Sequence, residues 1–174
     1  LRAREGAGRS LIMCGVFCLF LNRPLTAADI ALGRAGTAGL AHRGPDGEGE
    51  WIDQMEGVFL GHRRLAIIDP TAASDQPMDR DGLVLCYNGE IYNFRELREQ
   101  LRAVGTRFQS NGDVEVLLQA WQAWGEKALD RLDGMFALAV WNGTEAHLVT
   151  DPFGEKPLYY AETGDGLYVS SEIA

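Results

Sequence analysis

Apolar residues in this chain gather in short runs, and only its middle carries clear helical stripes. Val16 to Leu21 is an unbroken apolar run of strand length, which predicts a buried strand. Shorter runs at Val58–Leu60, Leu65–Ile68 and Leu83–Tyr87 predict further strands. Phe94, Leu97, Leu101 and Val104 recur at helical spacing up to Gly105, and Val114, Leu117, Leu118 and Trp121 do so up to Gly125. Another helix opens at Thr26, with Asp29 where a capping box more often has Glu or Gln, and runs to about Leu40. Gly33, Gly36 and Gly39 weaken it. The last third alternates strands (Met135–Trp141, His147–Thr150, Leu158–Ala161, Leu167–Ser170) with turns at Asn142-Gly143, Pro152-Phe153-Gly154 and Gly164-Asp165-Gly166. Gly44-Pro45-Asp46-Gly47 is a further turn. Strands that cluster, with connections too short for parallel crossovers, predict an α+β fold with mainly antiparallel sheets.

Composition narrows the function. The 174 residues suffice for one domain with a real core, and the 21 glycines favour many tight turns. A formal net charge of -9 repels phosphates and argues against a nucleic-acid partner. Cys14, Cys18 and Cys86 are too few for a disulfide scaffold and suit a reducing, cytoplasmic setting. His42, His62 and His147 are scattered, so no zinc spacing is present and no metal site is expected.

Two readings of the N-terminus compete. Arg2, Arg4 and Arg9 before the apolar stretch Leu11 to Leu21 outline a secretory signal. Against it, the chain does not begin with Met, and the stretch contains Met13-Cys14-Gly15. The reading adopted takes Met13 as the true start, residues 1–12 as an upstream extension outside the fold, and residues 13–174 as one domain. No segment reaches membrane-spanning length, so no membrane partner is expected.

That reading changes what Cys14 is. A cysteine in an apolar strand is ordinarily a small buried hydrophobe. Removal of Met13 would give Cys14 a free α-amine with a pKa near 8, able to take its own thiol proton. Three other places complement it. Asn88-Gly89 by itself marks a turn, but beside a nucleophile it supplies a side-chain amide and an approachable backbone N–H for an oxyanion. Arg64 is either a surface arginine or a bidentate grip for a carboxylate. Asp113 is either a helix N-cap or the counter-charge of an ammonium. Taken together these groups describe an α-amino acid with an electrophilic carbonyl at its far end, and glutamine fits.

Met13-Cys14-Gly15-Val16-Phe17 followed by His42-Arg43-Gly44-Pro45-Asp46-Gly47 resembles the start of a class II glutamine amidotransferase domain. The Arg-Gly-Pro-Asp form resembles that of glutamine-hydrolysing asparagine synthetases. Arg64–Asp69, Gln76-Pro77, Asn88–Asn93, Asp151-Pro152-Phe153-Gly154 and Ser171-Glu172 continue the likeness in order. The resemblance implies an N-terminal-nucleophile hydrolase fold, a four-layer αββα sandwich. It further implies Cys14 as nucleophile, Asn88 and Gly89 as oxyanion hole, and Arg64 on the glutamine α-carboxylate. Leu65, Ala66, Ile67 and Ile68 would line the pocket, with Glu90 and Asp113 near the glutamine amine. Gly112 and Val114 stand where the family often has Ser and Thr. The implied reaction is glutamine hydrolysis through a Cys thioester, without a cofactor in this domain. ATP and Mg belong to a C-terminal synthetase domain absent from this chain, which would use the ammonia to amidate aspartate. Another ammonia acceptor, a catalytically silent domain that retains residues 1–12, and a homodimer all stay open.

Overall fold

The structure, a computed structural model, describes residues 13–173. In chain order its elements are β1 (Gly15–Leu21), α1 (Ala27–Gly39), β2 (Gly47–Asp53), β3 (Val58–Arg64), β4 (Met78–Arg80), β5 (Leu83–Ile91), α2 (Phe94–Ala103) and α3 (Asp113–Trp124). β6 (Gly134–Trp141), β7 (Ala146–Thr150), β8 (Tyr159–Thr163) and β9 (Gly166–Ser170) complete them, with 3-10 turns at Ala72–Ser74 and Gly125–Arg131. The reading of residues 1–12 as an extension lies outside the described residues.

Alternation along β1 assigns the layers. Val16 and Cys18 face one way, and pack with Val58, Leu60, Val84, Cys86, Ala139, Trp141 and Val169. Leu19 and Leu21 face the other way, against Leu25 and Phe59. The first group joins two antiparallel sheets, ordered β2-β3-β1-β9-β8 and β4-β5-β6-β7. The second group lies under α1. On the outer face of the second sheet, Leu85, Tyr87, Leu138 and Val140 pack with Leu97, Leu101, Leu117 and Leu118 of α2 and α3. The result is helix, sheet, sheet, helix, the N-terminal-nucleophile sandwich.

Local chemistry explains these elements. Thr26 and Asp29 form the reciprocal capping box at α1 despite the shorter acid. The helix tolerates its glycines because two of them are its contact surface. A Cβ at Gly33 would lie 2.6 Å from the Phe59 ring, and one at Gly36 2.4 Å from Phe17. Low propensity is offset by close packing on the sheet.

Three expectations need correction. Leu65–Ile68 is not a strand: β3 runs from Val58 through Arg64, and the chain then leaves the sheet. The Ala66 N–H is taken by the Asp46 carboxylate at 2.9 Å, and Ile67 is 72% exposed. β2 escaped notice because Gly47 closes the predicted Gly44–Gly47 turn and Glu48-Gly49-Glu50 carries no apolar residue, yet it pairs along β3 as an edge strand. Finally, Asn88-Gly89 is no turn. Both residues lie inside β5, paired with Ala137 and Phe136 of β6.

Candidate functional site

A cavity of about 180 Å³ opens at one end of the space between the sheets. β1 brings Cys14 to it. Gly15 pairs with Arg63, so the end of β3 lies beside the thiol, and the Leu65 N–H donates to Cys14 Sγ at 3.3 Å. Burial pushes the thiol up from its ordinary value, opposed first by the Leu65 amide and then by the Arg64 cation. Arg43 Nε donates to the Cys14 carbonyl at 3.1 Å, while its Nη1 reaches Glu172 at 3.2 Å.

β5 supplies the facing wall. Its partner β4 covers only Leu83 to Leu85, so the outer edge of β5 is unpaired from Tyr87 onward. The outward N–H groups there are satisfied by side chains: Tyr87 N–H donates to Gln76 Oε1 at 2.7 Å, and Ile91 N–H to Asp113 Oδ2 at 3.1 Å. Alternation turns the N–H of Gly89, between them, to the same edge, where the cavity lies. One residue earlier, Asn88 is 1% exposed, and its Nδ2 has no hydrogen-bond partner among the described residues. An unused buried amide donor is rare, and here it borders a cavity. A side chain at position 89 would strike the Met135 carbonyl at 2.2 Å, so glycine is demanded by β6 as well as by the cavity.

The remaining walls carry charge. Arg64 donates to the carbonyls of Thr71, at 2.9 Å, and Asp69, and pairs with the Asp75 carboxylate. It is no free surface arginine. Asp113 is the first residue of α3, and Gly112 occupies the cap position. The Asp113 Oδ2 accepts from Tyr87 O–H at 2.8 Å, and burial raises its pKa above the usual carboxylate value.

Cys14, Arg64, Leu65, Ile67, Ile68, Asn88, Gly89, Glu90 and Asp113 therefore share one cavity, whereas Ala66 is not among its lining residues. Sequence reasoning missed Gln76, Tyr87 and Lys156, which also line it. Gln76 stood within a noted motif without a role, and nothing in the pattern around Lys156 distinguishes it from a surface lysine. Among the described residues, no group of three or more His, Cys, Asp or Glu is arranged to hold a metal ion. No helix among them is long and apolar enough to cross a membrane.

Residues 13–174 match the family model of the glutamine amidotransferase domain. The chain belongs to this family. Similar proteins include glutamine-hydrolysing asparagine synthetase 1 of Bacillus subtilis, 42% identical over 92% of this chain and 26% of that protein. Glutamine-hydrolysing asparagine synthetase 2 of Oryza sativa is 36% identical over 92% of this chain and 27% of its own length. An amidase of Gibberella zeae is 35% identical over 77% of this chain and 20% of its own. The chain thus spans about a quarter of the length of such relatives. Among solved structures, a glutamine phosphoribosylpyrophosphate amidotransferase from B. subtilis superposes with a TM-score of 0.77 at 26% identity, covering 91% of this chain and 42% of that one. The amidotransferase assignment and the N-terminal-nucleophile fold thus agree.

Proposed function

We propose that this amidotransferase domain hydrolyses glutamine to glutamate and ammonia through a thioester on Cys14. The reading requires cleavage of the chain between Met13 and Cys14. The Cys14 thiol proton then passes to its own α-amine, and the thiolate attacks the side-chain amide carbon of glutamine. The Asn88 side chain and the Gly89 N–H donate to the developing oxyanion. Collapse expels ammonia, which takes the proton from the α-ammonium, and water hydrolyses the thioester. Arg64 binds the α-carboxylate, while Asp113 and Glu90 offset the charge of the ammonium. The observation that carries this reading is the unpartnered Asn88 amide beside the cavity that holds Cys14.

In a longer protein the ammonia would amidate aspartate in a following domain that uses ATP and Mg, in the cytoplasm. The names of the synthetase relatives support that acceptor. The test is ammonia release from glutamine by protein with Cys14 at its N-terminus, confirmed by intact mass. Loss of release in Cys14→Ala is expected, and full release in that variant would end the proposal. Retention of residues 1–12 with no hydrolysis would favour a silent assembly domain.

A further inference from the structure

Lys156 lies in the loop between β7 and β8, yet it is 6% exposed and lines the same cavity as Cys14. The loop is built to hold it there. Asp151 Oδ1 accepts the N–H groups of Phe153 and Glu155, each at 3.0 Å, and its Oδ2 accepts those of Lys156, at 3.0 Å, and Phe136, at 3.2 Å. The Asp151 carboxylate is thus occupied by backbone amides and forms no ion pair with the Lys156 ammonium.

That ammonium rests against Met13 Sδ, at 2.6 Å, and has no carboxylate within ion-pair reach among the described residues. A buried cation on a thioether gains little for its desolvation, so burial pushes Lys156 below the ordinary lysine value. The Met13 side chain is a short covalent span from the Cys14 nitrogen. When Met13 leaves, the ammonium loses its one side-chain hydrogen-bond partner among the described residues and shares the cavity with the newly freed α-amine.

We propose that Lys156 is an electrostatic positioning residue which, once Met13 is removed, keeps the Cys14 α-amine unprotonated and so able to accept the thiol proton. A neighbouring cation disfavours a second positive charge, and the effect is large where water is excluded. Arg43, held on the Cys14 carbonyl, acts in the same direction from the loop after α1, and Arg64 does so from β3. Against them stand Asp113 of α3, Glu90 of β5, and Glu155 of the lysine's own loop. Asp113 is already bonded to Tyr87 and Ile91.

The inference rests on the hydrolytic reading above. Its test is the pH profile of kcat/KM for glutamine hydrolysis, measured on protein whose Cys14 N-terminus is verified by mass. In Lys156→Met the acidic limb should move up by about one pH unit. A second neutral variant, Lys156→Gln, should do the same while keeping a polar end in the buried position, and Lys156→Arg should restore the wild-type limb. Coincident limbs in wild type and both neutral variants would overturn the inference, as would an equal shift in Lys156→Arg, which would mark a packing role. Wild-type protein that hydrolyses no glutamine would instead overturn the hydrolytic reading and this inference with it.

Discussion

The Leu65 amide nitrogen and the Cys14 sulfur lie 3.3 Å apart, the amide donating, although 51 positions separate them in the chain. A backbone donor on sulfur favours the thiolate, so this contact works against the burial that raises the thiol. The loop that carries it is pinned by Asp46, whose carboxylate holds the next amide, that of Ala66, at 2.9 Å. Asp46→Ala should free the loop and slow alkylation of Cys14 by iodoacetamide at neutral pH several-fold. An alkylation rate equal to wild type would show that the donor is held without Asp46.

Asn88→Ala removes a donor that has no partner in the resting structure. Loss of an oxyanion donor costs about 3 kcal/mol of barrier, so kcat for glutamine should fall on the order of a hundredfold with KM little changed. Stability should move in the opposite sense, because an unpaired buried amide is a liability to the fold. A melting temperature no lower than wild type, measured beside the kinetics, separates a donor kept for function from one kept for structure.

How much of this was open to a reader of the sequence depended on whether a feature was local. α2 and α3 were legible because their apolar residues recur on one face, and the Thr26 box because it needs only residues three apart. β2 was not, since an edge strand with two glycines and two glutamates shows no apolar alternation at its start. The end of β3 was hidden for a related reason. His62 looks polar, but it is fully buried between the sheets, where its Nε2 donates to the Tyr87 carbonyl oxygen at 3.1 Å. The thiol, Arg64, Asn88, Gly89 and Asp113 could be noticed one by one, and the fold brings them to a single cavity. Lys156 could not, because its burial is created by four backbone amides gathered on Asp151.

Gly89 and Gly164 make a controlled pair. A methyl at Gly89 would meet the Met135 carbonyl at 2.2 Å and Phe136 Cα at 2.7 Å, so backbone must move; at Gly164 it would meet nothing within 4 Å. Gly89→Ala should therefore destabilise by about 1–3 kcal/mol and abolish most glutamine turnover, as the displaced strand re-aims its amide. Gly164→Ala should leave both unchanged. Urea unfolding and an ammonia assay on the two variants decide it, and a fully active Gly89→Ala would remove the strand edge from the mechanism.

Asp113 should make glutamine binding depend on pH. Burial raises its pKa above the usual carboxylate value, and only the ionised form attracts the substrate ammonium. As pH falls through that raised pKa, the carboxyl protonates and KM for glutamine should climb, at a higher pH than an ordinary aspartate would set. In Asp113→Asn the KM should be high at every pH and this dependence should vanish. An unchanged slope of KM against pH in that variant would assign the titration elsewhere, with Glu90 the next group to substitute.

His62 sets an acid limit on the fold itself. Its imidazole, fully buried between the sheets, is pushed down to about 4, chiefly by loss of solvation, so it stays neutral while the unfolded chain protonates near the ordinary histidine value. Between those two values the unfolded state binds the extra proton, and stability must fall as pH falls. From pH 7 to pH 5 this single group should remove about 2 kcal/mol from the unfolding free energy. His62→Gln keeps a donor for the Tyr87 carbonyl but cannot titrate. Its urea midpoint should therefore change less over the same interval, even if it is lower at pH 7. Parallel losses in wild type and His62→Gln would place the acid sensitivity in other groups.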